Sequence, residues 1–140
     1  MPSGRLGMTT SHPDGHGAAT AWHHLPKREQ SWRWALGLAL ALAVQLVVVY
    51  APSGPGGPEI TGLDKVVHLV IFAAPAFAAL MLGIPARWAL GLLVVHAPTS
   101  ELIQHFLLPH RDGDVFDVLA DLCGVLLGAL AYMVWSRRQH

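Results

Sequence analysis

The chain has 140 residues, nine basic and nine acidic side chains, and is 53% hydrophobic and 13% charged. Soluble domains carry about 25% charged residues, so half the usual means of facing water is missing and lipid is the indicated solvent. The balanced charge leaves no basic footprint for a nucleic-acid partner, and a single cysteine, Cys123, excludes an intrachain disulfide.

Residues 1–30 are rich in Gly, Ser, Thr, Pro and His without apolar periodicity, and read as a flexible N-terminal tail. His12 and His16 have the spacing of metal ligands on a helix and His23 and His24 follow, but Pro13, Gly15 and Gly17 oppose a helix there. Residues 31–140 read as one all-α domain, an integral membrane bundle of four transmembrane helices at about 34–50, 66–84, 88–108 and 115–135. A bilayer core takes roughly 17–25 helical residues. Backbone groups in hydrocarbon must satisfy one another, which selects helices. The first span is expected to be retained: it exceeds the about 7–15 residues of a signal-peptide core, and Pro52 follows the loosely cleavage-like Val49-Tyr50-Ala51. Cys123, inside the fourth apolar run, reads as a small packed hydrophobe.

The links at 51–62, 83–87 and 109–113 are short, so successive helices are expected to run antiparallel. With four crossings, Lys27, Arg28, Arg33, Arg87, Arg137 and Arg138 fall on one side, against Lys65 and Arg111 on the other. This bias places both termini, and the tail, in the cytoplasm, with Trp32, Trp34, Trp88 and Trp135 as an inner aromatic belt.

The polar residues then gather at the outer end. Asp64, Lys65 and His68 open the second helix, Glu101, Gln104 and His105 lie near the end of the third, and Arg111, Asp114, Asp117 and Asp121 lead into the fourth. Asp64 and His68 share a helix face, as do Glu101, Gln104 and His105. Asp114, Asp117, Asp121, Gly124 and Gly128 form a stripe whose two glycines permit close helix packing. A charge at a helix centre costs about 2.5–3.5 kcal/mol on insertion scales, so carboxylates one or two turns below the surface call for partners. Lys65 and Arg111 are the available cations, with His68 or His105 as further candidates. Asp64, Asp112 and Asp114 can equally be helix caps. Capping does not account for Glu101, Gln104, Asp117 and Asp121, which leaves a functional pocket or a structural network. Elsewhere, Gln45 suggests an interhelical hydrogen bond, His96 a packed imidazole, and Pro75 and Pro98 bends, the latter one turn before Glu101.

The order Asp64-Lys65-x-x-His68, Glu101-x-x-Gln104 and Arg111-x-x-Asp114-x-x-Asp117-x-x-x-Asp121-x-x-Gly124-x-x-x-Gly128 resembles the VanZ-like family of bacterial membrane proteins, over about 63–131. The chain departs from that pattern at Asp121, where the family usually has Asn. The resemblance implies a multi-pass protein of the bacterial plasma membrane and a cell-envelope setting, with a link to resistance against teicoplanin-type glycopeptides. It implies no particular reaction.

Three function classes follow. In the first, Lys65 and Arg111 hold an anionic headgroup or a lipid-linked cell-wall precursor at the outer leaflet while the carboxylates orient them or meet amino groups. In the second, Glu101, Asp117 and His68 act in a membrane-embedded hydrolase or transferase, or bind a divalent ion with Asp121. No HExxH or GxSxG motif occurs, no catalytic residue can be assigned, and no cofactor is called for. In the third, the polar layer serves assembly of a structural membrane subunit.

Overall fold

The structure, a computed structural model, describes residues 27–51, 62–108 and 114–139, with side chains from residue 31 onward. The tail histidines, most of the 51–62 link, and Arg111 and Asp112 lie outside the described residues.

Four helices follow in chain order: α1 Lys27–Tyr50, α2 Leu63–Met81, α3 Ala86–Leu107 and α4 Val115–Arg137. α1 begins inside the stretch read as tail. α2 stops at Met81 rather than continuing to residue 84, because the chain closes on itself there. Gly83 adopts φ 85°, its N–H reaches the Leu80 carbonyl, and the Ile84 N–H reaches that of Ala79, a turn that only a residue free to enter the left-handed region closes without strain. Pro85 then starts α3, where its missing N–H costs nothing. α2 and α3 remain helical through Pro75 and Pro98.

By length and composition three of these helices can cross a membrane: Ser31–Tyr50 within α1, α2, and α4. α3 is long enough but is diluted by Arg87, His96, Thr99, Ser100, Glu101, Gln104 and His105. Large apolar side chains such as Leu40, Val47, Leu92, Val95 and Leu126 are exposed along the outside of the bundle. Soluble monomers rarely expose contiguous apolar surface on this scale, and contact with a lipid bilayer accounts for it. Cys123 also faces outward, contrary to its reading as a packed side chain.

α2 is the central helix and touches the other three. Its C-terminal half meets the start of α1, where the Trp34 and Phe77 rings stand edge to face at 5.6 Å. Along α4, Gly124 lies against the Leu69 carbonyl and Gly128 against that of Ala73, so residue numbers rise together and α2 and α4 run parallel. α3, which links them, therefore runs antiparallel to both. A core of Val49, Ile71, Phe72, Ala76, Leu93, Ala97 and Val125 draws on all four helices. A smaller cluster of Ala79, Leu80 and Ala89 closes the end opposite the polar residues.

Apolar burial supplies little net drive between helices already in lipid, so close packing and interhelical hydrogen bonds hold such bundles together. Two devices of this kind are visible here. One is the glycine face of α4 seated directly on the α2 backbone. The other joins α1 to α3: the His96 ring contacts the Tyr50 hydroxyl at 3.1 Å and, weakly, the Gln45 amide at 3.5 Å, while stacking on Phe72 with centroids 5.5 Å apart.

Candidate functional site

The start of α2, the end of α3 and the start of α4 meet at one end of the bundle because α2 and α4 are parallel and α3 is reversed. Their polar side chains form a graded layer. At its mouth the Lys65 ammonium donates to Asp114 Oδ2 at 2.7 Å and to Asp117 Oδ1 at 2.9 Å, and sits 5.9 Å from the centre of the Phe116 ring. One cation thus bridges two carboxylates that would otherwise repel across one helical turn. The Lys65 side chain is 42% exposed, and exposure of the α4 carboxylates falls from 39% at Asp114 to 10% at Asp117 and 0% at Asp121. The mouth is exposed and the floor is buried.

Asp114 has a second task. Its Oδ1 accepts the Phe116 N–H at 2.8 Å, capping α4. The Lys65 ammonium, aided by this backbone N–H, holds the Asp114 carboxyl below the usual carboxylate range. A depressed native value means that the carboxylate stabilises the fold above about pH 3.9, the ordinary value for Asp, and loses that effect as pH falls through the lower native value. We expect Asp114→Asn, which can still cap, to lower the thermal midpoint less than Asp114→Ala, which removes cap and ion pair together. Melting curves in detergent at pH 7 read the difference, and equal losses would show that the cap contributes nothing.

Deeper in, His68 Nδ1 donates to Asp121 Oδ1 at 3.0 Å, both side chains being buried, while His68 Nε2 lies 3.9 Å from the exposed Asp64. Asp121 Oδ2 is buried and has no hydrogen-bond partner among the described residues. On α3, Glu101 Oε2 accepts the Asp114 backbone N–H at 3.0 Å and Oε1 accepts the Gln104 amide at 3.2 Å, tying the end of α3 to the entry of α4. Ser100, fully buried beside Glu101, turns its hydroxyl back to the Ala97 carbonyl at 2.8 Å.

Asp64, Lys65, His68, Glu101, Gln104, Asp114, Asp117 and Asp121 therefore lie in one layer, with Gly124 and Gly128 directly below, whereas Arg111 lies outside the described residues. His105 does not join them. It is exposed, its ring edge against Phe106, because the buried stripe of α3 runs through Leu93, Ala97, Ser100, Glu101 and Gln104 and leaves residue 105 just past its border. The Tyr50–His96–Gln45 group is a second polar patch. Gln45 signals it in the sequence as a lone polar residue in an apolar run, but its partners do not follow from spacing.

Chemically, the layer is rich in oxygen acceptors and poor in cations. Lys65, the lysine of this layer, is already shared by two carboxylates. Comparison of the chain with family models, curated proteins and solved structures gives no match.

Proposed function

We propose that the chain is a VanZ-like, multi-pass protein of the bacterial plasma membrane that binds the charged headgroup of an envelope component at this polar layer. In this reading all four helices cross the bilayer, both termini are cytoplasmic, and the layer faces outward. Support for the fourth crossing comes from topology: α2 and α4 are parallel, so α3 has to return across the depth they span. Support for the orientation comes from Arg33, Arg87 and Arg137, which lie at the end opposite the polar layer.

The observation that carries the binding reading is the half-exposed Lys65 ammonium clasped by Asp114 and Asp117 at the mouth. Such a cluster offers a cation and anions side by side. A purely anionic ligand would have to compete with two carboxylates for Lys65. A lipid-linked wall precursor, or another headgroup bearing both phosphate and amine, can exchange partners with both: phosphate takes Lys65, with Arg111 three residues before Asp114, and the amine takes the released carboxylates. A role in glycopeptide resistance would follow from holding such a precursor.

We expect the purified protein to bind a lipid-linked wall precursor in detergent, and Lys65→Ala and Arg111→Ala each to weaken binding about tenfold, the loss of about 1.4 kcal/mol. Equal binding by wild type and both variants would overturn the reading. A second reading, a membrane-embedded hydrolase or transferase, is favoured by the His68–Asp121 pair with Glu101 close by. Turnover of the bound precursor, lost on Glu101→Gln, distinguishes it.

A further inference from the structure

We propose that His68, Glu101 and Asp121 form a site for one divalent first-row cation of the zinc or manganese class. The site lies beneath the headgroup layer and goes beyond the binding reading above.

Two independent observations carry it. The first is convergence. One ligand-capable atom from each of the three residues lies within 4.8 Å of the others, and all three residues are buried. Each comes from a different helix, so α2, α3 and α4 each contribute one donor. The second is Asp121 Oδ2, an acceptor on a fully buried side chain that has no hydrogen-bond partner among the described residues. Buried polar atoms are normally satisfied, and a carboxylate oxygen in a closed layer is an atom that a cation can satisfy. A group of three drawn from Asp64, His68 and Asp117 also meets the distance test, but Asp64 is exposed and its members leave no such orphan.

The donor chemistry suits this class of ion. One imidazole nitrogen and two carboxylate oxygens are a borderline set, too poor in oxygen for calcium and too rich in charge for a soft ion such as Cu(I). Zinc takes imidazole and carboxylate ligands at about 2.0–2.2 Å, which sets tetrahedral donors about 3.4 Å apart, so the trio, whose atoms lie within 4.8 Å of one another, closes around an ion by side-chain movement. Two carboxylates match the charge of a divalent cation, which removes the repulsion between Glu101 and Asp121. Three protein donors leave a fourth position for water or another ligand, unlike the four protein donors of a purely structural site.

The surroundings also fit. Glu101 is held by the Asp114 N–H and the Gln104 amide. Asp64 stands 3.9 Å from His68 Nε2, on the far side of the ring from the Nδ1 that now contacts Asp121. At 3.9 Å this is an electrostatic neighbour and not a hydrogen bond; moved closer, a carboxylate there would fix the tautomer of a ligating histidine. In the ion-free state the Nδ1 proton bridges His68 to Asp121; an ion entering the trio takes the place of that proton.

The test uses the full-length protein without an affinity tag, stripped with chelator and dialysed in detergent against zinc chloride or manganese chloride. Elemental analysis should find one more equivalent bound to wild type than to Asp121→Asn, and Glu101→Gln should weaken binding at least tenfold. The tail histidines are common to all three proteins, so any ion they take up cancels in the comparison. X-ray absorption of the zinc-loaded protein with His12, His16, His23 and His24 replaced by alanine, all outside the four helices, should give a nitrogen/oxygen shell with one imidazole. Equal uptake by wild type and Asp121→Asn, no uptake by either, or a shell made of several imidazoles would each overturn the proposal. Because the ion is measured without precursor and precursor binding can be measured in chelator, failure of either reading is visible separately.

Discussion

Gly124→Leu should separate α4 from α2 and destabilise the bundle by about 3 kcal/mol, the upper part of the usual range for overpacking. Any Cβ at Gly124 collides with the Leu69 carbonyl, and at Gly128 with the Ala73 carbonyl while also meeting Ala76 Cβ at 2.8 Å. The two carbonyls are backbone atoms of a neighbouring helix, and neither they nor the Ala76 Cβ can rotate aside. Helix propensity acts in the opposite direction, since replacing a mid-helix glycine by alanine gains up to about 1 kcal/mol, but contact with the backbone outweighs it. Gly37 of α1 is the control: a Cβ there meets nothing within 4 Å, so Gly37→Ala should be neutral or slightly stabilising. Unfolding in mixed detergent micelles compares the variants. If Gly124→Leu unfolds where Gly37→Ala does, the close α2–α4 contact does not hold the fold. Because the same contact sets the height of Asp121 against His68, loss of packing should also spread the polar layer.

Much of this was legible in the sequence, and the rest was not for identifiable reasons. The lengths of the apolar runs reveal helices because hydrocarbon leaves the backbone no other structure, although composition alone supports only three of them as crossings. The glycine stripe of α4 can be read as a packing surface from its four-residue step, but not its partner. The choice of α2, not the sequence neighbour α3, depends on which surfaces fit. Likewise Asp64, Lys65 and His68 can be placed at the same depth as Asp114, Asp117 and Asp121 by counting turns. Counting does not say that Lys65 takes two carboxylates at once, or that Glu101 spends one oxygen on a backbone N–H rather than on a cation. His105 marks the angular limit of such counting: four residues after Glu101 it shares that residue's side of the helix, yet the forty-degree drift of a 3.6-residue period takes it over the edge. Asp121 was legible as a buried carboxylate needing a partner. That His68 supplies a partner to only one of its oxygens required coordinates.

His68→Ala should cost about 3–5 kcal/mol, the range for removing one member of a buried pair. The imidazole is the single hydrogen-bonding partner of the Asp121 carboxylate among the described residues, and Asp121 is fully buried. Truncation leaves an anion with neither water nor donor, which is more costly than the pair itself is stabilising. That asymmetry makes a second prediction about the same pair: His68→Leu with Asp121→Leu should recover much of the loss, since an apolar pair of similar volume owes no desolvation. Stability is best measured in chelator, so that no bound ion contributes through mass action. A double-mutant cycle then gives the coupling, for which 0.5–3 kcal/mol is usual between residues in contact. Strictly additive single and double variants would mean that the two side chains do not depend on each other. In that case Asp121 would be held by the packing of α4 on α2 alone, and its lone oxygen would carry no implication for ligand binding.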